Sequence, residues 1–299
     1  MVAFHDAPVR VRVPATSANL GPGFDTLGLA LALHDELTAR VSASLDVEVR
    51  GEDASAVPRT ERHLVVTAMR AAFDRMGGRP PGVELTTSNH IPHGRGLGSS
   101  AGAIVAGVLL ARALVVHGDQ LLDDVAALAL ASELEGHPDN VAPCLLGGLT
   151  VAWTDEVGAR AVRLEPAASV RPVVFVPQRH ASTAEARRLL PAQVPHGDAV
   201  FNAARSALLV AALTGATDAL FDATGDRLHQ RYRGAAMPES LALIEQLRAA
   251  GLPAVLSGAG PTVLVLARDD AEAARAGEQA PLDWRVAELA VDRGGAVVA

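Results

Sequence analysis

A glycine-rich segment that runs directly into a long apolar stretch constrains this chain more than any other feature. Residues 92–102 read PHGRGLGSSAG, and the next eight residues read AIVAGVLL. Three glycines stand at every second position of the segment: Gly94, Gly96 and Gly98. Glycine permits positive φ and close approach of a ligand, while a helix start presents unpaired N–H groups and the positive end of its dipole. Ser99 and Ser100 add hydroxyls for a helix cap, a phosphate or a metal ion, so the segment predicts a phosphate-binding loop.

Two other kinds of site use similar glycine patterns. Residues 98–102 match the G-x-S-x-G turn of hydrolases, which would make Ser100 a nucleophile. Such a turn follows a buried strand directly and needs a late histidine, whereas here glycines and a proline precede it and no histidine follows His229. The dinucleotide fingerprint needs a third glycine where Ser99 stands. A surface turn capped by a serine is the plain structural alternative, and nucleotide-phosphate binding is the favoured interpretation.

The charge composition restricts how an anionic ligand can be held. The chain has 299 residues, a net charge of −8 and 26 basic residues, all of them arginine. The absence of lysine excludes a Walker-type phosphate lysine, a Schiff base and a lysine general base. Anions must therefore be met by guanidinium groups and backbone amides. Because the arginines are scattered along the chain, we expect no nucleic-acid partner.

Apolar content and cysteine use predict a globular protein of a reducing compartment. Hydrophobic residues make up 49 % of the chain, and long charged tracts are missing. The longest apolar run, residues 101–116, would span about 24 Å as a helix, short of the bilayer core of about 30 Å. The first residues lack a basic region followed by an apolar stretch, and the single Cys144 excludes an internal disulfide. We therefore expect a cytoplasmic protein with no membrane partner.

The first half of the chain predicts strands and helices around the glycine-rich segment. Residues 9–13 alternate as a strand ended by Pro14, and a glycine-rich loop follows over 15–28. The other predicted elements are strands at 41–50, 83–87 and 149–153, a helix capped by Thr60 and closed by Gly77 and Gly78, and a helix from about Asp119 to 133–136. That last helix brings Glu133 and Glu135 to its C-terminus, where the dipole disfavours negative charge, so a bound cation is one candidate partner.

A composition shift near residue 165 predicts a boundary between a domain at 1–165 and a second domain at 166–299. The second half predicts a strand, several helices, a hairpin with a tight glycine turn, a helix and a strand. Those segments are 170–177, 183–190, 198–214, 216–223, 238–250, 254–266, 269–278 and 284–291. This order is that of a ferredoxin-like domain, so we expect an α+β fold.

The glycine-rich segment resembles the phosphate-binding motif of the GHMP kinases, named after galactokinase, homoserine kinase, mevalonate kinase and phosphomevalonate kinase. The matching pattern is P-x-x-x-GLGSSA at residues 92–101. Residues 13–25 (VPATSANLGPGFD) resemble the first motif of the homoserine kinases, and residues 256–262 (LSGAGPT) resemble the third superfamily motif. Residues 136–143 and 182–187 are also similar to homoserine kinases. The resemblance implies the GHMP kinase fold, in which a two-layer α/β nucleotide-binding domain precedes a ferredoxin-like domain.

The resemblance also implies a reaction and its ligands. A homodimer would transfer the γ-phosphate of ATP, with Mg²⁺, to the hydroxyl of L-homoserine, giving O-phospho-L-homoserine in threonine biosynthesis. A kinase for another small alcohol and a non-catalytic small-molecule sensor on the same fold are the alternatives. The implied nucleotide contacts are Pro92, His93, Gly94, Arg95, Gly96, Leu97, Gly98, Ser99, Ser100, Ala101 and Gly102.

The residues that the resemblance assigns to the amino-acid substrate are Asn19, Asp25, His137, Arg187 and Arg233. An acidic group suits the substrate ammonium, so Asp25 is assigned to it together with Asn19. A guanidinium fork binds a carboxylate in a bidentate way, so Arg187 and Arg233 are assigned to the substrate carboxylate. Arg231, close to Arg233 in the sequence, leaves that second assignment open.

The resemblance assigns Ser100 and Glu133 to Mg²⁺, which prefers oxygen donors and retains waters, and Glu135 is the rival ligand. With Arg187 they form the expected catalytic set. Other GHMP kinases carry an aspartate general base after the metal-binding glutamate. Here residues 139–140 read Asp-Asn, and the resemblance to homoserine kinases implies that this base is missing, so none is assigned. Phosphoryl transfer tolerates this, because its loose transition state gains most from positioning and charge neutralisation.

Overall fold

The computed structural model describes residues 2–299, whose strands form two sheets. The strands are β1 (Val9–Ala18), β2 (Leu27–Ser42), β3 (Asp46–Gly51), β4 (Gly82–Asn89), β5 (Leu149–Asp155), β6 (Gly158–Leu164), β7 (Arg171–Val176), β8 (Ala254–Leu256), β9 (Val263–Ala267), β10 (Arg285–Glu288) and β11 (Val297–Val298). The helices are α1 (Leu64–Arg75), α2 (Ser99–Leu114), α3 (Gly118–Leu121), α4 (Asp124–Glu135), α5 (Val141–Leu146), α6 (Thr183–Arg188), α7 (His196–Thr214), α8 (Leu220–Ala223), α9 (Gln230–Arg233), α10 (Pro238–Ala249) and α11 (Asp270–Gly277). Within residues 2–299, no helix is both long and apolar enough to cross a membrane.

The first sheet has α1 and α2 packed against it. Its strands β11, β1, β2, β4 and β3 lie side by side in that order, and β5 joins the start of β2 to β6. The pairing is antiparallel except between β3 and β4. Val11 of β1, Phe73 of α1 and Ile104 of α2 belong to one buried cluster. The glycine-rich segment therefore leads into a helix whose apolar face is anchored in the core.

Strand pairing changes the boundaries predicted for the first strands. Pro14 does not end β1, because the strand pairs with β2 on both sides of it and the register shifts between Pro14 and Ala15. The irregularity lets the strand accommodate a residue that has no N–H to donate. The predicted loop 15–28 is therefore strand at both ends. The predicted strand 41–50 divides between the end of β2 and β3.

Two helix predictions also need correction. The cap of α1 is His63 rather than Thr60, because the His63 ring accepts a hydrogen bond from the N–H of Val65 at 3.2 Å. The helix predicted from about Asp119 is interrupted. Its first turn is α3, and α4 starts anew with Asp123 as N-cap.

The second sheet is antiparallel, with strand order β10, β7, β9, β8. If β7, β8, β9 and β10 are counted as the first to fourth strands, their spatial order is fourth, first, third, second. Helices lie between the first and second strands and between the third and fourth strands in the sequence. Phe175 of β7, Leu247 of α10 and Ala276 of α11 share one buried cluster. This is a ferredoxin-like arrangement, so the predicted α+β fold is confirmed.

The division of the chain near residue 165 stays a prediction. The first sheet's β6 ends at Leu164, and the second sheet begins with β7 at Arg171. The end of the chain, however, returns to the first sheet. Leu31 forms a bridge with Val291, and β11 pairs with β1. By strand pairing, this terminal segment belongs with the first sheet rather than with the predicted second domain.

Candidate active site

Three loops that are far apart in the sequence meet at the N-terminus of α2. They are the loop after β1, the glycine-rich segment and the loop between β8 and β9. The N–H of Thr16 donates to the carbonyl of Leu97 at 3.0 Å. The N–H of Gly258 donates to the carbonyl of Ala18 at 3.0 Å. Backbone hydrogen bonds thus hold the three sequence motifs in one place.

The three alternating glycines have the predicted left-handed backbone. Their φ angles are 61°, 79° and 71° at Gly94, Gly96 and Gly98. A Cβ added at Gly96 would collide with the carbonyl oxygen of Ser257, and one at Gly98 would collide with the hydroxyl of Thr16. Gly96 and Gly98 are therefore required by the packing of neighbouring segments, in addition to any ligand.

The serine hydroxyls at the start of α2 do not cap the helix. Gly98 is the N-cap and makes no side-chain hydrogen bond, whereas Ser100 donates to a carboxylate oxygen of Glu135 at 2.6 Å. Glu133, the predicted partner of Ser100, instead forms an ion pair with Arg75 at 3.3 Å, and its side chain is 70 % exposed. Side chains two positions apart on a helix point in directions that differ by about 200°, so only one of these glutamates can face Ser100. Burial raises the pKa of Glu135, although the hydrogen bond from Ser100 acts in the opposite direction.

A cavity of about 100 Å³, which we call the polar cavity, opens beside these loops. Its lining includes every residue predicted to bind the amino-acid substrate: Asn19, Asp25, His137, Arg187 and Arg233. The other polar and glycine residues that line it include Gly94, Gly96, Gly98, Ser99, Ser100, Glu135, Asp139, Asn140 and Thr183. The fold therefore brings together predicted site residues that are spread over most of the chain.

Two of the predicted substrate ligands are paired with each other. Arg187 donates from both terminal nitrogens to the two oxygens of Asp25, at 3.0 and 2.7 Å. The side chains are 36 % and 35 % exposed, so incoming molecules can reach the pair. The hydrogen bond to Asp25 raises the pKa of Arg187. A carboxylate beside a guanidinium is complementary to an amino-acid zwitterion, whose ammonium and carboxylate are also neighbours.

Asn19 supports this pair from behind. Its side-chain carbonyl accepts a hydrogen bond from the N–H of Asp25 at 3.0 Å, and its amide donates to the carbonyl of Gly258 at 2.8 Å. The backbone of Asn19 is left-handed, with a φ of 66°. Asn19 therefore positions the loop that carries Asp25, while its contact with the substrate ammonium stays a prediction.

Arg233, rather than Arg231, lines the polar cavity. Arg233 is 1 % exposed and donates to the carbonyl of Gly258 at 3.0 Å, while its buried Nε has no hydrogen-bond partner among residues 2–299. Burial lowers the pKa of Arg233, and the positive charge of Arg187 acts in the same direction. Arg231 points to the surface and pairs with Asp198 at 3.3 Å. The structure thus shows which of the two neighbouring arginines lines the cavity, a choice that the sequence left open.

An aromatic support behind the arginines was missed by sequence reasoning. The Phe24 ring centroid lies 5.8 Å from the Arg187 guanidinium and 5.3 Å from that of Arg233. The same ring stacks on the imidazole of His229 at 5.1 Å. Burial lowers the pKa of His229, and its neutral ring donates to the carbonyl of Gly21 at 2.7 Å. An aromatic residue inside a glycine-rich motif is the signal that could have found Phe24.

His137 and Asp139 form a second charged pair in the polar cavity. The His137 Nδ1 lies 2.6 Å from an Asp139 oxygen, and Asp139 is 1 % exposed. Burial acts to lower the pKa of His137, but the hydrogen bond and charge of Asp139, aided by Glu135, outweigh it and raise the pKa. Asp139 and Glu135 therefore stabilise the imidazolium form of His137.

A larger cavity of about 440 Å³, which we call the apolar cavity, adjoins the polar one. The two cavities share Gly94, Ser99 and Ser100. The apolar side chains in its lining are Leu37, Ala56, Val57, Pro58, Leu64, Val65 and Ala103. Two buried polar atoms of its lining residues, His63 Nε2 and Thr87 Oγ1, have no hydrogen-bond partner among residues 2–299. Burial lowers the pKa of His63, and because its Nδ1 accepts a bond in the α1 cap, Nε2 carries the proton and is a free donor.

The residues of the glycine-rich segment are not all directed toward the two cavities. His93 lines the apolar cavity, and the three glycines and two serines line one or both cavities. The predicted nucleotide contacts that line neither cavity are Pro92, Arg95, Leu97, Ala101 and Gly102. Leu97 and Ala101 are buried in the core, and the Arg95 guanidinium turns inward. Contact of these five residues with a nucleotide stays a prediction.

Family models match both halves of the chain. A model described as the GHMP kinases N terminal domain matches residues 63–148, and one described as GHMP kinases C terminal matches residues 204–285. The two matched regions contain the start of α2 and the β8–β9 loop, respectively, which meet at the polar cavity. The class of protein that the fold and the site define is therefore the GHMP kinases.

Whole-chain relatives narrow the class further. A homoserine kinase of Streptomyces avermitilis is 57 % identical over 297 residues, which cover 99 % of this chain and 97 % of the relative. A homoserine kinase of Streptomyces coelicolor is 57 % identical over 298 residues, covering 99 % and 96 %. The crystal structure of homoserine kinase from Cytophaga hutchinsonii aligns with a TM-score of 0.83 at 26 % identity, covering 99 % of this chain and 98 % of that one. The chain belongs to the homoserine kinases within the GHMP kinase family, so the predicted family is confirmed.

Proposed function

We propose that this chain transfers the γ-phosphate of ATP to the side-chain hydroxyl of L-homoserine, giving O-phospho-L-homoserine for threonine biosynthesis. The observation that carries the proposal is the junction of two unlike cavities at the start of α2. The polar cavity offers charged groups of both signs, and the apolar cavity offers room for a base. Ser99 and Ser100 belong to both, so a phosphate chain laid across them would connect the two ligands.

The apolar cavity fits the nucleoside part of ATP. Its walls are mostly apolar, as stacking on a base requires, and it ends at the glycine-rich segment. The unpartnered His63 Nε2–H is a donor that a ring nitrogen of adenine would satisfy, and the Thr87 hydroxyl can donate or accept. Buried polar groups of this kind are costly unless a ligand or water pairs with them.

The donor set at the junction fits Mg²⁺. The Ser100 hydroxyl and the Glu135 carboxylate are adjacent oxygen ligands, and both line the polar cavity. Residues 2–299 contain no group of three or more histidine, cysteine or acidic side chains that could hold a metal by themselves. This matches Mg²⁺, which keeps several waters and is usually completed by substrate phosphates. When bound, the ion would neutralise charge on the transferred phosphoryl group.

The amino-acid substrate suits the Asp25–Arg187 pair. In this proposal the substrate ammonium contacts Asp25, and its carboxylate contacts Arg187 and Arg233. Each substrate charge then replaces half of an ion pair that the protein already makes, so neither protein charge is left unpaired. The imidazolium form of His137, which Asp139 stabilises, would favour the same carboxylate.

No side chain is assigned as general base. Asp139 is buried and bonded to His137, so its carboxylate is committed to that pair. The roles left to this chain are to align the substrate hydroxyl with the γ-phosphate, to exclude water and to offset negative charge. A loose phosphoryl-transfer transition state gains most from these effects, and a phosphate oxygen can take the proton.

A coupled assay of ADP release with Mg-ATP tests the proposal. We expect ADP release that depends on L-homoserine and is much slower with mevalonate or shikimate. Faster ADP release with another alcohol would show that homoserine is the wrong substrate, while the proposed kinase activity would stand. Failure to release ADP with any acceptor, combined with saturable homoserine binding, would favour a non-catalytic sensor.

A homodimer and a cytoplasmic location are further proposals, supported by the family resemblance. Light scattering of the purified chain measures the first, with a mass of about 62 kDa expected from the chain mass of 30.8 kDa. Cell fractionation measures the second. A monomeric mass or recovery in the membrane fraction would contradict the respective proposal.

A further inference from the structure

Arg95 connects the glycine-rich segment to the chain that leads into α6. Its Nε donates to the carbonyl of Pro177 and one terminal nitrogen donates to the carbonyl of Gln178, both at 3.2 Å. The other terminal nitrogen donates to Asp53 at 3.1 Å. The Arg95 side chain is 9 % exposed and lines neither cavity. Its donors are thus used within the protein.

The segment that Arg95 holds, residues 177–182, passes beside both cavities. His180 lines the apolar cavity, and Ala181 lines the polar cavity. The His180 Nδ1–H donates to the carbonyl of His93 at 3.0 Å, which leaves Nε2 as the acceptor for Arg95 at 3.2 Å. The N–H of Ala181 donates to the carbonyl of Gly94 at 2.9 Å. Arg95 thus bonds to three residues of this segment, Pro177, Gln178 and His180.

The position of Arg187 depends on this segment, because α6 has little anchoring of its own. The helix has six residues, and Ala186 is its single buried side chain. Ser182 caps it with a long hydrogen bond of 3.4 Å. A short exposed helix is marginal without tertiary support. Residues 177–182 therefore determine where the Arg187 guanidinium stands relative to Asp25.

We propose that Arg95 is a positioning residue for the amino-acid substrate: by clamping residues 177–182 to the glycine-rich segment, it sets the place of Arg187. Arg95 itself touches neither substrate. This inference rests on the proposed function, since it takes Arg187 as the ligand of the substrate carboxylate. Arg95 would thereby link the glycine-rich segment, the proposed phosphate-binding loop, to the part of the polar cavity proposed to bind the amino-acid substrate.

Kinetics of Arg95→Met test the proposal. We expect the KM for homoserine to rise about tenfold and the KM for ATP to change less than about threefold, because coupled neighbours commonly interact at this level. Arg95→Lys should recover only part of the loss, since one ammonium cannot reach Asp53 and two carbonyls together. An unchanged KM for homoserine in Arg95→Met overturns the proposal.

A double-mutant cycle separates positioning from a general loss of structure. If Arg95 acts through Arg187, adding Arg95→Met to Arg187→Ala should raise the KM for homoserine no further. The matched control is Arg112→Ala, which removes another largely buried arginine, one that lies at the far end of α2 and pairs with Asp124. That control should lower the Tm and leave both KM values unchanged. Additive effects in the cycle, or equal KM effects in the control, overturn the proposal.

Amide hydrogen exchange gives a readout that does not need activity. Arg95→Met should speed exchange over residues 178–188 and leave α10 and α11 unchanged, whereas Arg112→Ala should leave residues 178–188 protected. Unchanged exchange in Arg95→Met overturns the clamp. If the wild-type chain releases no ADP with homoserine, the proposed function fails, and the exchange experiment still decides whether Arg95 holds the segment.

Discussion

The two cavities that meet at the glycine-rich segment differ in how far their polar groups are paired within the protein. In the polar cavity, Asp25 is paired with Arg187 and Asp139 is paired with His137. In the apolar cavity, His63 and Thr87 each present a buried polar atom without a partner among residues 2–299. A ligand of the polar cavity must therefore exchange bonds with the paired charges and can add one at the unpartnered Arg233 Nε, whereas a ligand of the apolar cavity adds bonds at both of its unpartnered atoms.

This difference bears on specificity. A cavity of mutually paired charges favours a ligand that carries both charges in the same arrangement, because a ligand with one charge would leave a protein group unpaired. In a cavity with two free polar atoms in apolar walls, most of the binding free energy comes from buried contact area, and each hydrogen bond contributes less. We therefore expect substitutions in the polar cavity to cost more than substitutions in the apolar cavity.

The largest effect is expected at the junction, where a single change affects both ligands. Glu135→Gln should lower kcat about 100-fold and raise the Mg²⁺ concentration needed for half-maximal rate, since the charged ligand proposed for Mg²⁺ is lost. The matched control is Glu133→Gln, which removes a surface ion pair with Arg75 and should leave kcat unchanged. The reverse pattern would return the metal role to Glu133.

The next effect should separate the cavities. Arg187→Ala removes the partner of Asp25 and the proposed ligand of the substrate carboxylate together, so the KM for homoserine should rise about 30-fold to 100-fold. The KM for ATP should stay within about twofold. Steady-state titration of each substrate measures both constants. Equal rises in both would mean that the cavities do not act as separate sites.

A smaller effect concerns pH. Burial acts to lower the pKa of His137, but the hydrogen bond and charge of Asp139, together with Glu135, raise it, so the imidazolium is present below its usual pKa of about 6.5 and is lost as pH rises through the raised value. Its other charged neighbours are Glu135, which also favours the imidazolium, and Arg187, which opposes it. The KM for homoserine should therefore rise severalfold on the alkaline side of its pH profile, and His137→Asn should flatten this alkaline limb. A wild-type limb that persists in the variant would remove His137 from the substrate site.

The smallest effect is expected in the apolar cavity. His63→Ala removes one hydrogen-bond donor worth about 1 kcal/mol, so the KM for ATP should rise about fivefold while the KM for homoserine stays the same. The substitution also removes the cap of α1, which should cost about 1 kcal/mol of unfolding free energy. His63→Ser keeps a capping oxygen but is too short to reach the base, and should restore stability without restoring the KM for ATP.

Local patterns were enough to predict much of the site. The glycines at every second position and the following apolar run predicted the phosphate loop and α2, because left-handed backbone and apolar helices have recognisable residue requirements. The resemblance then named five substrate residues, all of which line the polar cavity. Boundaries set by strand pairing were less accessible: Pro14 looks like the end of a strand until its partner β2 is known.

The sequence by itself determined the α+β class, the order of the motifs, the phosphate loop and the family. Only the tertiary structure decided which of two nearby like residues faces the site: Glu135 rather than Glu133 lies beside Ser100, and Arg233 rather than Arg231 lines the cavity. It also decided that Arg95 turns inward. The physical reason is the same in each case. Residue type and spacing state what chemistry is available, but the direction of a side chain depends on what packs against its helix or loop from distant parts of the chain.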